Sequence, residues 1–325
     1  MLDQYNRNID YLRISVTDRC NLRCRYCMPD GIKLTTMAQV LTFEEITRIA
    51  RAGASLGIRH VRLTGGEPLV RRGVTDLVRM LHNTDGIEEI TMTTNGVLLA
   101  KYLDELIAAG LGAVNISLDS VDRETYERIT GKDALEDVLA AVDAACRSGI
   151  PTKVNAVSLG LGEEAVRGLI FLSKDRPLDV RFIEMMPIGY GKTFPVYSHQ
   201  KLKALLQAWY PGLSEDHAVH GYGPAVYYRI PGYRGSIGLI SAIHGKFCSS
   251  CNRVRLTSQG FLKSCLCYDH GADLREIIRS DICDEKKDAL LVETMRRAIY
   301  EKPEAHCFEE REMITECAPM SAIGG

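Results

Sequence analysis

The chain predicts an α/β fold, a partial (β/α)6 TIM-type barrel with a C-terminal extension closing the open side. Three observations carry this. Strand-like and helix-like segments alternate over the first half of the sequence, and serial β/α units imply a parallel sheet with right-handed crossovers. About six such units occur, short of the eight that close a barrel. Polar and metal-binding residue types gather where the strand-like segments end, the rim at which such barrels place their chemistry.

The first strand is expected over 11–16, where Tyr11-Leu12-Arg13-Ile14-Ser15-Val16 alternates in polarity. Further strands are expected over 60–64, 89–94, 113–118, 153–158 and 179–184. Amphipathic helices are expected near 43–56, 73–83, 98–109, 133–148 and 163–173. Thr42 and Glu45 form a capping box ahead of the first of these. Beyond about residue 190 the periodicity breaks and Gly/Pro/Tyr-rich segments dominate. Two parts are therefore expected: residues 1–190 as the barrel with a first cysteine group, and 191–325 with a second group and the tail.

The 325 residues include 40 basic and 42 acidic side chains, a net charge of −2. That balance gives no global nucleic-acid footprint, so a polyanion site must be local. No apolar run approaches the ~18 residues of a membrane helix, and the polar start, Met1 to Asn6, lacks a signal-peptide core. Eleven cysteines, two groups of them at metal-ligand spacing, indicate a reducing cytoplasm and not a disulfide framework.

Cys20, Cys24 and Cys27 are spaced C-x3-C-x2-C on the loop after the first strand. Three thiolates this close can hold three corners of a cubane [4Fe–4S] cluster. With no fourth cysteine nearby, one iron stays open to chelation by S-adenosylmethionine. Zinc is the alternative, but it takes four ligands, usually as C-x2-C pairs. The second group, Cys248, Cys251 and Cys265, is spaced C-x2-C-x13-C, with Cys267 two residues on. Spacing alone leaves a four-cysteine zinc site open here. Asn252-Arg253-Val254-Arg255-Leu256-Thr257 puts two arginines on one strand face beside it, an arrangement that suits a phosphate or carboxylate ligand.

Leu63-Thr64-Gly65-Gly66-Glu67-Pro68 matches the GGEP motif of radical S-adenosylmethionine enzymes. With TDRCNLRCRYCMP, NISLDS, RFIEMMP, CSSCNRVRLTSQGFLKSCL and the terminal Gly324-Gly325, the chain resembles, end to end, the MoaA-type GTP 3′,8-cyclase family that opens molybdenum-cofactor biosynthesis. The resemblance implies a lyase that converts GTP to 3′,8-cyclo-7,8-dihydro-GTP by radical chemistry. It also implies two [4Fe–4S] clusters. Cys20, Cys24 and Cys27 would hold the first, which works on S-adenosylmethionine. Cys248, Cys251 and Cys265 would hold the second, whose open iron faces guanine, with Cys267 spare.

By the same resemblance, Tyr26, Gly66, Ser117 and Met186 contact S-adenosylmethionine. Arg13, Arg62, Thr93, Lys153, Arg181, Arg253, Val254 and Arg255 contact GTP, with catalytic roles for Arg253, Arg255, Gly324 and Gly325. The diglycine tail is expected to meet the nucleotide side of the cavity and not the first cluster. Implied partners are a flavodoxin- or ferredoxin-like electron donor and a downstream cyclic pyranopterin monophosphate synthase. No nucleic acid or membrane partner is expected, and a homodimer is compatible with the reading.

Several guanidinium and ammonium groups are needed in any case, because about four negative charges on a triphosphate must leave water to enter a closed barrel. The eight histidines are scattered and read as surface residues. Cys146, Cys283, Cys307 and Cys317 lack ligand spacing and read as incidental thiols. The rival readings are a radical peptide-modifying maturase with an auxiliary cluster and a non-catalytic Fe–S or zinc protein. The first would carry more C-terminal cysteines; the second has no use for GGEP.

Overall fold

A computed structural model describes residues 1–29, 35–194 and 197–324. Six parallel strands run in sequence order: β1 (Tyr11–Ser15), β2 (His60–Thr64), β3 (Glu89–Thr94), β4 (Ala113–Ser117), β5 (Thr152–Val157) and β6 (Leu178–Ile183). Between them lie α1 (Phe43–Ser55), α2 (Val74–His82), α3 (Leu99–Ala108), α4 (Arg123–Thr130), α5 (Leu135–Ser148) and α6 (Glu163–Phe171). The capping box forms as expected: Glu45 N donates to Thr42 Oγ1 at 3.2 Å and Thr42 N to Glu45 Oε2 at 2.7 Å. The short helix α4 escaped the periodicity because it is mostly polar; Asp122 caps it through Thr125 N.

The remaining elements are α7 (His199–Trp209), β7 (Ser214–Asp216), β8 (Val226–Arg229), β9 (Ser236–Ile240), β10 (Arg253–Leu256), β11 (Phe261–Lys263), β12 (Gly271–Asp273), α8 (Leu274–Ile278), α9 (Asp284–Tyr300) and α10 (Met320–Ile323). The extension works at both edges of the six-stranded sheet. β9 pairs parallel to β6, and β10 pairs parallel to β1. Antiparallel β8–β7 and β11–β12 then continue outward, giving one open 12-stranded sheet. No helix among the described residues is long and apolar enough to cross a membrane.

Strand alternation decides what the barrel contains. Leu12, Ile14, Val61, Leu63, Ile90, Met92, Val114, Ile116, Val154, Val180 and Phe182 are buried against the helices. The residues between them, Arg13, Arg62, Thr93, Ser117, Asn155 and Arg181, line the interior. The period of two therefore places apolar side chains outside and polar ones inside. An ordinary (β/α) barrel fills its interior with branched apolar residues; this one leaves a lumen whose strands present arginines and hydroxyls beside apolar residues such as Val157 and Ile183.

A second, smaller core holds the C-terminal strap. Ile188, Ile243, Leu266, Cys267, Phe308, Ile314 and Ile323 pack together. No α-helix lies between α9 and α10, and two buried ion pairs fix this strap. Lys263 pairs with Glu316. Arg7 pairs with Asp3 at 2.7 Å, and its guanidinium also donates to the carbonyls of Cys248, Lys302, Pro303 and Glu304. One arginine thus ties the N-terminus, the strap and the second cysteine loop together.

Arg7→Ala leaves Asp3 buried and unpaired, a change that costs about 3–5 kcal/mol. Urea unfolding should show a loss of that size, and a loss under about 1 kcal/mol would remove Arg7 from this role.

Candidate active site

The cysteine loop after β1 is zipped to its neighbours by backbone bonds. Gly66 N donates to Thr17 O and Glu67 N to Arg19 O; Arg23 N and Arg25 N donate to Thr130 O and Ile129 O. A Cβ on Gly66 would lie 2.3 Å from Arg19 O, so only glycine lets the two loops approach this closely. Buried Glu67 accepts from Leu69 N, Thr94 Oγ1 and Asn95 N at 2.6–3.0 Å, joining the loops after β2 and β3. Tyr26 donates its hydroxyl to Asp119 Oδ2 at 2.7 Å, and Asp119 also accepts from Val157 N.

Cys20, Cys24, Cys27, Cys248, Cys251 and Cys265 all line one cavity of about 320 Å³, within the range of small-molecule sites. Register places the two groups at opposite rims. The first follows the C-terminal end of β1. Arg253, which opens β10, is level with Tyr11, which opens β1, so Cys248 and Cys251 sit at the N-terminal rim. Cys265 returns there because β11 runs antiparallel to β10.

Among the described residues no three His, Cys, Asp or Glu side chains converge on a point that one metal ion could share, as tetrahedral zinc requires. A cubane asks instead for thiolates that each take a separate iron, and three sulfurs facing one end of a cavity meet that need. Burial, then neighbouring Asp119 and the other cysteines, push the Cys24 thiol well up; Cys27 rises to about 12 by burial first. These two need a positive centre in order to ionise, which cluster iron supplies. At the other rim burial opposes ionisation of Cys251, but Lys302 and Arg253 outweigh it and bring the thiol down to about 6. Both triads fit a cluster. Cys267 lies in the small core, its Sγ 3.3 Å from Cys307 Sγ, and does not line the lumen.

The wall between the rims is positively charged. Arg255, Arg13 and Arg62 are level on three adjacent strands. With Arg181, Arg253 and Lys302 they line the cavity, where the carboxylate among the lining residues is Asp119. Arg181 is 4% exposed and is held by Asn155 Oδ1 at 2.8 Å and Asn115 Oδ1 at 2.7 Å. A side chain at Gly238 would strike Arg181 Cγ, so that glycine makes the arginine's space. Burial, then Arg255 and Arg62, hold the Arg13 pKa well below its usual value. Lys153 falls to about 8 through burial and Arg181, partly offset by Asp179. Thr93 Oγ1 is buried with no partner among the described residues. Such a wall wants a polyanion.

Tyr26, Gly66, Ser117, Met186, Arg13, Arg62, Thr93, Arg181, Arg253 and Arg255 all line the lumen. Lys153 stands one step behind, its Nζ donating to His220 O. Val254 is corrected: alternation turns its side chain into the core, 1% exposed. The tail does arrive, with Arg255 Nη1 donating to Gly324 O at 2.8 Å; Gly325 lies outside the described residues. The expectation that the tail avoids the first cysteine loop is also corrected, because the Ser321 amide faces Cys27 and Ser321 lines the lumen. The last turn of the chain thus reaches the first cysteine loop through Ser321 and the arginine wall through Gly324.

Sequence reading missed Lys302, the asparagines behind Arg181, and the histidines. His60, His199 and His306 are buried, and His220 sits between Asp179 and Asp216 at 3.0 and 2.9 Å. The Asp216 and Asp179 carboxylates were the signal for His220, but they are distant from each other in sequence.

Iron analysis after anaerobic reconstitution should find about eight irons per chain, about four in Cys265→Ser, and about eight in Cys267→Ser. The reverse result for the two serine variants would reassign the ligand.

The described geometry has known counterparts. The Radical SAM superfamily model matches residues 14–170, and the Molybdenum Cofactor Synthesis C model matches 178–308. A Clostridium perfringens (strain 13 / Type A) protein named GTP 3′,8-cyclase is 42% identical over 327 residues, covering 100% of both chains. Proteins of the same name from Alkaliphilus oremlandii (strain OhILAs) and Peptoclostridium acidaminophilum are 43% and 44% identical; each alignment spans 100% of this chain, with 100% and 98% of the relative. Streptococcus suis SuiB bound to S-adenosylmethionine superposes with a TM-score of 0.64 at 15% identity, covering 96% of this chain and 76% of that one, a likeness of fold alone. On this full-length identity, the chain belongs to the GTP 3′,8-cyclase family of radical S-adenosylmethionine enzymes.

Proposed function

We propose that this chain is a GTP 3′,8-cyclase, a lyase that turns GTP into 3′,8-cyclo-7,8-dihydro-GTP with S-adenosylmethionine and two [4Fe–4S] clusters. The observation that carries the reading is a single lumen with a cysteine triad at each rim and five arginines between them. Cys20, Cys24 and Cys27 would hold the first cluster, which with S-adenosylmethionine would supply the one-electron chemistry for hydrogen removal at ribose C3′; joining C3′ to guanine C8 as the dihydro product would take one further electron and a proton.

The chain's own residues do the rest. Asp119 fixes the Tyr26 ring at the S-adenosylmethionine end, and Gly66, Ser117 and Met186 complete that end. Arg13, Arg62, Thr93, Lys153 and Arg181 receive the triphosphate and ribose, with Arg253 and Arg255 beside the second triad. Val254 offers only its backbone. Arg255 also orients Gly324, and with it Gly325, against substrate. Residues 1–190 provide the radical-generating part and 191–325 the part that holds substrate. A flavodoxin- or ferredoxin-like donor reduces the clusters, and a cyclic pyranopterin monophosphate synthase takes the product. The setting is the cytoplasm, where thiols stay reduced, and the chain works without nucleic acid or membrane, alone or as a homodimer.

Anaerobically reconstituted protein given GTP, S-adenosylmethionine and dithionite should release the cyclised nucleotide and 5′-deoxyadenosine in matching amounts. 5′-Deoxyadenosine without a nucleotide product would leave the peptide-modifying reading standing. Arg253→Ala and Arg255→Ala should each cut product about 10²–10³-fold with iron content intact, the usual cost of losing a charge-stabilising donor in a dry site. An effect below tenfold would remove them from the substrate site.

Lys153 sets a pH dependence. Burial and Arg181 bring its ammonium down to about 8, and a neighbouring phosphate raises that value. Below pH 8 the lysine is charged whether free or bound, so GTP affinity is flat. Above 8 binding takes up a proton, and affinity falls by at most about tenfold per pH unit. Calorimetric titration should show that fall in wild type and its displacement to higher pH in Lys153→Arg. An unchanged profile would place Lys153 outside the site.

A further inference from the structure

The loop of residues 217–225 joins β7 to β8 and crosses the N-terminal rim of the barrel. Tyr222, Gly223 and Pro224 line the lumen. The Tyr222 ring stacks on the His60 ring, centroids 3.5 Å apart at 22°. His60 is 5% exposed and Tyr222 is 47% exposed, so Tyr222 has one face inside the barrel and one in solvent. The loop backbone runs beside the cations: a Cβ at Gly221 would lie 3.4 Å from Lys153 Nζ, and one at Gly223 would lie 3.8 Å from Arg181 Nη1. Among the described residues the amides of Gly221, Tyr222 and Gly223 donate to no partner.

The contacts that hold this loop gather at His220 and Tyr222. Its apolar Val219 is 90% exposed and anchors nothing. The His220 ring rests on Tyr227, centroids 3.9 Å apart, between Asp179 and Asp216. The His220 carbonyl accepts from Lys153 Nζ. Lys153 Nζ also lies 4.0 Å from Asp179 Oδ2, a long ion pair shared with His220, and a phosphate oxygen at hydrogen-bond distance is a stronger partner than either the carbonyl or that distant carboxylate. Adjacent free amides make a second anion-binding element.

We propose that this hairpin loop reads the number of phosphates on the substrate. Resting on the assignment of GTP to the lumen, the inference goes further: Lys153 passes from the His220 carbonyl to the terminal phosphate, and the 221–223 backbone settles on that phosphate with Tyr222 latched on His60. A diphosphate stops short and leaves the Lys153–His220 contact in place. Tyr222, His60 and His220 are positioning residues in this scheme, since none needs to touch the reacting ribose or base.

The test combines binding and hydrogen exchange on the cluster-loaded protein. Wild type should bind GTP at least about tenfold more tightly than GDP, the worth of one charge-assisted bond, and GTP but not GDP should change amide exchange across 217–225. Tyr222→Ala should weaken GTP about tenfold and leave GDP within about twofold, collapsing the ratio. Tyr222→Phe should restore it, because the stack survives, and Val219→Ser should leave both affinities alone. Equal protection of the loop by GTP and GDP, or equal weakening of both by Tyr222→Ala, would overturn the proposal while leaving GTP as substrate. Failure of wild type to bind GTP at all would overturn the substrate assignment and this inference with it.

Discussion

Positive charge concentrated inside the barrel is the constraint on which the rest of this structure depends. Arg13, Arg62, Arg181, Arg253 and Arg255 line one lumen, and burial together with their mutual repulsion depresses the pKa values of Arg13 and Arg255. A set like this opposes folding unless the scaffold is stiff and something outside the chain supplies negative charge. The scaffold is stiff because the outward strand residues form a continuous apolar layer with the helices. The asparagine pair on Arg181 satisfies its donors without neutralising it. Function and stability therefore pull in opposite directions here, as at many preorganised sites.

The C-terminal region exists to complete this lumen. β9 and β10 extend the parallel sheet at both edges, so the six-unit barrel gains wall on each side and not a lid on one. β10 brings Arg253 and Arg255 level with β1. The strap returns the chain to the C-terminal rim, where Gly324 meets Arg255 and Ser321 meets Cys27. Arg7 and the small core around Phe308 and Ile314 keep that path fixed. Tail, first cysteine loop and the arginine wall are thus mechanically joined.

Much of this was legible in the sequence, for identifiable reasons. The six barrel strands alternate with period two and carry their motifs at their ends, so both their places and their facing could be read. Arg253 and Arg255 were read as sharing a face because a strand of alternating Arg and aliphatic residues allows nothing else. The pairing of β9 and β10 at opposite edges was not legible, because their partners β6 and β1 are far off in sequence. α9 was missed because it buries only Leu291, Met295 and Ile299, too narrow a stripe to stand out. His60 and His220 were read as surface residues because their partners, Tyr222 and the Asp179–Asp216 pair, come from different elements. Val254 came from a motif taken whole, which ignored the alternation within it.

Thermal unfolding with graded ligands tests the central claim most directly, since a ligand that binds only the folded chain raises Tm by an amount that grows with the logarithm of its affinity at a fixed concentration. If buried cationic charge is what the empty lumen most needs relieved, inorganic tripolyphosphate alone should raise Tm, GTP should raise it further, and guanosine should raise it least. The tripolyphosphate shift should shrink sharply in Arg62→Ala and Arg181→Ala. A guanosine shift equal to that of GTP, with none from tripolyphosphate, would contradict the account.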